Sequence, residues 1–344
     1  MTLVVNLKLV LFFICSLLLA GCTPKTTEPS PIKEIQGEIF GSYFIVKYSG
    51  DLKKEDFNPE LAQFFKEFNQ EFSTYQKDSI ISRFNSFPLN SKLEVSPRFI
   101  QMLEMAKDFH EKTKGAFDPT LGPAIQAWGF GGGDSKQAPS KNTLIQAMKK
   151  VGFSHIHWEA QTNRAWRTND VRLDVNAFAP GWAADLIGQK LSSHKINNFM
   201  VDISGEIIFK GKKSGGQPWI AGVETPSMEH AAGVQVAFYM NDLAIATSGN
   251  YRQFFDDKGL RKSHIIDPQS GAPVTHQISS ASVLAATGAQ ADAWSTAMMV
   301  LGEEGLDLAE KNGIKVYLLK AKKPQVYEVI ISPGMQTFLD AHRL

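Results

Sequence analysis

The chain has 344 residues, 43% of them apolar, and a formal net charge of +1. That length is enough for one large domain or two ordinary ones with a real core. The balanced charge, with no Lys/Arg block, excludes an electrostatic case for nucleic acid as partner.

The N-terminal stretch "MTLVVNLKLVLFFICSLLLAGC" has one cation, Lys8, then a long apolar run and small residues, the layout of a secretory signal. It closes on "LAGC", which resembles a bacterial lipobox. The resemblance implies cleavage before Cys22, lipidation of that cysteine and a lipid anchor in a membrane. The alternative is an uncleaved N-terminal anchor. The expected organisation is a signal peptide over 1–21, a flexible Pro/Thr/Ser-rich tether over 22–35 and one domain over 36–344. Cys15 and Cys22 are the two cysteines. The folded part is therefore expected to hold no disulfide, thiolate metal site or cysteine nucleophile.

Along the chain, "GEIFGSYFIVKYSG" alternates as a strand. "NPELAQFFKEFNQEF" places Leu61, Phe64, Phe65, Phe68 and Phe72 at helical spacing, a stripe expected in the core. "SPRFIQMLEMAKDFHEKTKG" has Ser96 as N-cap, Pro97 at the first helical position and Gly115 after the end. "SKNTLIQAMKKVG" and "PGWAADLIGQKLSSHK" are two further helices. Strands follow at "NNFMVDISGEIIFKG" and "PWIAGVE", and "GVQVAFYMNDLAIATSG" reads as a hairpin turning at Asn241-Asp242. "ISSASVLAA" is a strand leading into the helix of "ADAWSTAMM"; "GEEGLDLAEKNG" is helical; "IKVYLLK" and "PQVYEVIIS" close the chain as strands. Helices and strands mix without regular βαβ alternation. The expected class is α+β, a mixed and mostly antiparallel sheet flanked by helices.

Several stretches could carry chemistry. Asp292 and Thr296 lie four apart on one helix face, although both are poor helix formers. "WGFGGGDSKQAPS" has Asp134 where a dinucleotide fingerprint needs its last glycine, so a Rossmann site is not expected. His155 and His157 of "HIHW" share a strand face, better read as solvated than as a zinc site. "SHIIDPQSGAP" holds a histidine suited to general-base work beside an Asp-Pro turn. "LDVNAFAPGWAAD" enters a helix near Pro180-Gly181, whose free N–H groups would suit phosphate.

"LDVNAFAPGWAAD" and "SHIIDPQSGAPV", with "GSYFIVKY", "FSTYQKDSIISRFN", "GAFDPTLGPAIQAWGFG", "VDISGEI", "PWIAGVETP", "LAIATSGNYRQFF" and "ADAWSTAMMVLG", run in one order from about residue 36 to 302. The series resembles the ApbE family, the FAD:protein FMN transferases of bacterial envelopes. The resemblance implies FAD as substrate, Mg²⁺ as cofactor, and transfer of FMN to a Thr or Ser hydroxyl of a partner protein, with AMP leaving. It implies that Asp292, Thr296 and the backbone carbonyl of Ala177 hold the metal, a hard-oxygen set that suits Mg²⁺. His264 becomes the candidate base, with Asp267 orienting it or sharing the role. Phe40, Tyr75, Ala116, Phe117, Asp118, Asp174, Pro180, Ser248, Gly249 and Ile266 become the candidate FAD contacts.

The chain departs from the family pattern at two positions. Phe40 stands where the family often has Met, and Pro180 where it often has Lys, which removes a cation from the phosphate side. The acceptor is expected to be an envelope redox protein, with the enzyme facing the periplasm. Two other readings remain open from these residues: a hydrolase splitting FAD to FMN and AMP, and a non-catalytic flavin-binding lipoprotein.

Overall fold

The computed structural model describes residues 31–130, 138–226, 233–250, 254–257, 260–323 and 325–344. Cys22, the signal segment and the glycine run at 131–137 lie outside the described residues.

The centre is an eight-stranded sheet. Its order is β1 (Lys33–Ile39), β2 (Ser42–Tyr48), β6 (Phe199–Ile203), β7 (Glu206–Lys210), β10 (Ala244–Gly249), β13 (Ile278–Ala285), β14 (Lys315–Lys323) and β15 (Val326–Ile331). Every neighbouring pair is antiparallel. Three smaller sheets are separate from it. They are β3 (Leu93–Glu94), β5 (Arg164–Arg167) and β4 (Ile156–Glu159); β8 (Trp219–Glu224) with β9 (Val234–Met240); and β11 (Phe254–Asp257) with β12 (Leu260–Ser263). The α+β class with a mostly antiparallel sheet is the observed one.

The described α-helices are α1 (Lys54–Phe72), α2 (Ile80–Ser86), α3 (Pro97–Lys112), α4 (Gly122–Ala127), α5 (Lys141–Met148), α6 (Ala179–Ser193), α7 (Gly288–Leu301), α8 (Leu306–Lys311) and α9 (Pro333–His342). The larger core packs α1, α3, α6 and α7 on one sheet face, and the phenylalanine stripe of α1 is buried in it. The other face is covered by the β8–β9 hairpin and α9, through Trp219, Val223, Phe238, Met335 and Phe338. The caps form as expected: Ser96 accepts from the Phe99 N–H at 3.0 Å, and Ser140 from the Thr143 N–H at 3.1 Å.

Four expectations are corrected. The first strand is a hairpin, because Phe40 (φ 53°) and Gly41 (φ 72°) form a two-residue turn with both φ positive. It starts at Lys33. "NNFMVDISGEIIFKG" turns back likewise at Ser204 and Gly205. The chain does turn at Asn241-Asp242, but β9 and β10 do not pair: β9 pairs with β8, and β10 with β7 and β13. Burial gives the reason. β10 buries Ala244 and Ala246 on one face and Ile245 on the other, as a central strand must, whereas β9 alternates and needs only one covered face. Finally, the chain closes with α9 rather than a strand; Ser332 accepts from the Met335 N–H at 3.3 Å and Pro333 opens the first turn.

Candidate functional site

The site grows from one close helix crossing. An added Cβ on Gly181 (α6) would lie 2.2 Å from the Gly288 carbonyl oxygen, and one on Gly288 (α7) 2.3 Å from that of Gly181. The two backbones therefore touch, which only glycine permits. Asp185 of α6 caps α7, accepting from the N–H groups of Gly288 at 2.7 Å and Ala289 at 2.9 Å. Burial pushes its carboxyl up to about 6, against the pull of those two N–H groups. One turn further, Asp292 accepts from the Gly181 N–H at 3.1 Å and is 5% exposed.

The Gly181 bond corrects the phosphate expectation for α6. The Ala179 N–H goes to the Val175 carbonyl and the Trp182 N–H to the Phe178 carbonyl, both at 2.9 Å, and Pro180 has no N–H. Those donors are spent before any ligand arrives. The end of α6 organises a carboxylate instead.

That carboxylate is short of positive charge. Burial holds Asp292 well above the usual carboxylate range, and the charge of Asp185 adds to it, while the Gly181 N–H works the other way. Glu206 of β7 is raised by burial first and then by the charge of Asp292. Thr296 lies one turn along α7, with its hydroxyl 3.4 Å from that of Ser248, which also bonds Ser295 at 2.8 Å. The Asp292 carboxylate, the Thr296 hydroxyl one turn on, and the backbone carbonyl of Ala177, which shares a cavity wall with Thr296, offer only oxygen donors, and a buried acid with acidic neighbours is stabilised by a divalent cation. The residues fit Mg²⁺.

Above this helix lies a cavity of ≈ 430 Å³. Ala116, Phe117, Asp118, Asp174, Ala177, Ser248, Gly249, His264, Ile266 and Thr296, separated widely in sequence, all line it. A second cavity of ≈ 630 Å³ gathers Phe40, Tyr75 and Pro180 with Phe68 and Phe72; it shares Asn176 with the first. Phe40 packs on Phe68, ring centroids 5.6 Å apart, while Tyr75 is 89% exposed and open to a planar partner. A third cavity, of ≈ 470 Å³, shares Asp174, Gly122 and Ile125 with the first and Tyr75 with the second.

Two predicted residues also hold local turns. Asp267 lies outside the wall that His264 lines. Its two carboxylate oxygens accept from the Gln269 N–H at 2.9 Å and the Ser270 hydroxyl at 2.8 Å, so it builds the turn that carries His264. Asp118 lines the cavity, yet its Oδ1 is held by the Thr120 N–H at 2.8 Å and hydroxyl at 2.6 Å. Its carboxylate shapes the Asp-Pro turn. His155 and His157 both reach the Thr168 hydroxyl at 3.3 Å on a partly exposed face, and among the described residues no three His, Cys, Asp or Glu side chains group as metal ligands.

Sequence reasoning missed Asp185, Glu206 and Asn85. The first two sit in the quoted "GWAAD" and "VDISGEI" stretches, but their partners are distant in sequence and follow no periodicity. Asn85 grips Leu173 twice: its amide donates to the Leu173 carbonyl and accepts from the Leu173 N–H, both at 2.8 Å. Asp174 itself is raised by burial, against the N–H of Asn176.

A model of the ApbE family matches residues 40–318. An FAD:protein FMN transferase of Haemophilus influenzae is 35% identical over 314 residues, 88% of this chain and 90% of that protein. One from Vibrio cholerae is 34% identical over 328 residues, 94% of this chain and 96% of that protein. Among solved structures, the apo flavinyl transferase ApbE of Pseudomonas stutzeri aligns with a TM-score of 0.83 at 30% identity, over 91% of this chain and 98% of that one. The flavin transferase ApbE of Vibrio cholerae gives 0.81 at 32% identity, over 90% and 100%. Agreement in sequence over nearly the whole described chain, and in fold over the same span, means that the chain belongs to the ApbE family.

Proposed function

We propose that this chain transfers the FMN half of FAD to a Thr or Ser hydroxyl of a partner protein, with AMP as leaving group. The observation that carries the reading is the convergence of His264, Asp174, Ser248 and Thr296 on one cavity, with buried Asp292 one helical turn from Thr296. The relatives named FAD:protein FMN transferase support the donor and the product.

Asp292, Thr296 and the Ala177 carbonyl would hold Mg²⁺, which when bound neutralises charge on the pyrophosphate. His264 takes the proton from the acceptor hydroxyl. The hydroxyl oxygen bonds to the FMN-side phosphorus, and the bond from that phosphorus to the AMP oxygen breaks, its electron pair leaving with AMP. Ser248 fixes the end of β10 against α7 through Ser295 and Thr296. Phe40 and Tyr75 offer ring surface to a planar group of FAD, and Pro180 makes that wall apolar.

The test is incubation of the chain lacking residues 1–22 with FAD and Mg²⁺, with and without an envelope redox protein from the same cell. An acceptor mass gain equal to FMN, matched by AMP, supports transfer. AMP without mass gain supports hydrolysis. Retained FAD with neither product supports a binding protein. In the same assay His264→Ala is expected to slow transfer about 10²–10⁴-fold while FAD affinity stays within about twofold. An unchanged rate would remove His264 from the role of base.

We further propose that the enzyme is lipid-anchored through Cys22 and faces the periplasm, supported by "LAGC" and the Pro/Thr/Ser-rich stretch after it. Cys22→Ala is expected to abolish labelling of the protein by a radioactive fatty acid in growing cells; persistent label would reject the anchor.

A further inference from the structure

We infer that the third cavity, of ≈ 470 Å³, is the groove through which the acceptor's Thr- or Ser-bearing segment enters, lying extended along residues 171–176. This rests on the transferase reading above. Transfer brings two substrates to one cavity, so that cavity needs an approach for a polypeptide as well as for FAD.

The three connected cavities differ in chemistry. The one lined by Phe40, Phe68, Phe72 and Tyr75 is aromatic and suits a planar ring. The third sets the polar groups of Thr74, Ser86, Gln126 and Arg172 beside the apolar Pro123, Ile125 and Leu173. Such groups suit the main chain of an extended peptide, whose carbonyls and N–H groups must be satisfied as they leave water. Its inner end lies next to the base, because Phe130 lines it and sits edge-on to His264, ring centroids 6.2 Å apart.

One segment runs past all three cavities. Val171, Leu173 and Val175 are buried, at 0%, 1% and 1% exposure, and the residues between them alternate outward. Arg172 lines the third cavity, Asp174 the third and first, and Asn176 the first and second. Successive outward residues of an extended chain lie about 7 Å apart. A peptide lying over these outward side chains from the Arg172 end therefore brings its hydroxyl to the reaction cavity one same-face step later, at Asp174.

The rail is rigid before anything binds. Asn85 takes both backbone groups of Leu173 at 2.8 Å, and the Asp174 N–H reaches the Pro119 carbonyl at 2.8 Å. Buried Arg167 binds the carbonyls of Val171 at 2.8 Å, Phe87 at 2.8 Å and Phe84 at 3.1 Å. A groove held this way costs little ordering entropy when a flexible segment docks.

The experiment uses the mature chain with FAD and Mg²⁺, the acceptor that gains FMN in the assay above, and a synthetic peptide spanning its modified residue. Arg172→Ala and Gln126→Trp, both at exposed positions, are compared with the unmodified enzyme. Each is expected to raise KM for protein and peptide about tenfold or more, leaving kcat at saturating acceptor and the Kd for FAD within about twofold. A tenfold weaker FAD affinity with unchanged acceptor KM would show that the groove holds the adenosine half of FAD, and would overturn the inference. Unchanged values throughout in both variants would overturn it as well. If the unmodified enzyme releases AMP without labelling any acceptor, it is the transferase reading that fails, and the groove assignment falls with it.

Discussion

Asp292→Asn is expected to abolish Mg²⁺-dependent turnover, by about a thousandfold or more, while leaving the metal-free protein more heat-stable than the unmodified one at pH 8. The two effects share a cause. The Asp292 carboxylate is buried, receives one hydrogen bond from the Gly181 N–H, and has Asp185 and Glu206 as acidic neighbours. Its folded-state pKa is raised, so the folded chain binds the proton more tightly than the unfolded chain does. Stability therefore falls as pH rises from the unfolded value of 3.8 through the folded one, and the full cost is present above it. Asparagine keeps the acceptor for Gly181 and removes the charge. The gain, on the order of a few kcal/mol at pH 8, is expected to vanish by about pH 3, where aspartate is largely protonated in both states. Calorimetric scans at the two pH values without metal, and with Mg²⁺ plus FAD, check all of this. Ligand should raise Tm for the unmodified chain and not for the variant. A variant with full activity, or one less stable than the parent at pH 8, would show that Asp292 is not a buried charge awaiting a cation.

Gly181→Ala is expected to be the most damaging single methyl in the described structure. The new carbon would meet the Gly288 carbonyl oxygen at 2.2 Å and the Asp292 Cβ at 2.9 Å. The first of these is backbone and cannot swing aside, so α6 and α7 must separate. Overpacking of this kind costs about 3 kcal/mol, which lowers Tm by roughly 6–12 °C. Separation also stretches the 3.1 Å bond from Gly181 to Asp292 and the cap from Asp185 to the start of α7. Mg²⁺ affinity measured by titration calorimetry on folded variant is therefore expected to drop with Tm. A variant with parental Tm would mean that the helices do not touch here. Loss of Tm with parental Mg²⁺ affinity would separate the crossing from the site.

Much of this site was legible because its signals are local. The i, i+4 pair of Asp292 and Thr296, the Ser96 cap and the phenylalanine stripe of α1 depend only on near neighbours, and the structure keeps each of them. The family motifs brought ten wall residues of the reaction cavity into view without a fold. Three kinds of information were not local. Strand partners were one: the alternation of β9 and the fully buried first half of β10 signal different sheets only once both faces are known. Competition for donors was another. Asp267 beside a histidine suggests a dyad, and its carboxylate also accepts from the Gln269 N–H and the Ser270 hydroxyl, contacts that the motif alone does not announce. The third was long-range pairing. Asn85 with Leu173, and Asp185 with Gly288, span 88 and 103 residues. No periodicity encodes such pairs.

The order of the central sheet has a consequence for how the molecule comes together. Its eight strands lie side by side in the same sequence in which they occur along the chain, and the other strands are excursions that leave and return. Each strand can dock on an edge already present, so the sheet can grow from its amino end as the polypeptide emerges, without a late strand having to insert between two earlier ones. The reaction cavity cannot be built that way. Its walls come from both ends of this growth, from Ala116 to Val300, and close only when α7 arrives. The scaffold can be laid down early and the catalytic floor completed near the end, so a chain cut before residue 288 is expected to retain strands but no site.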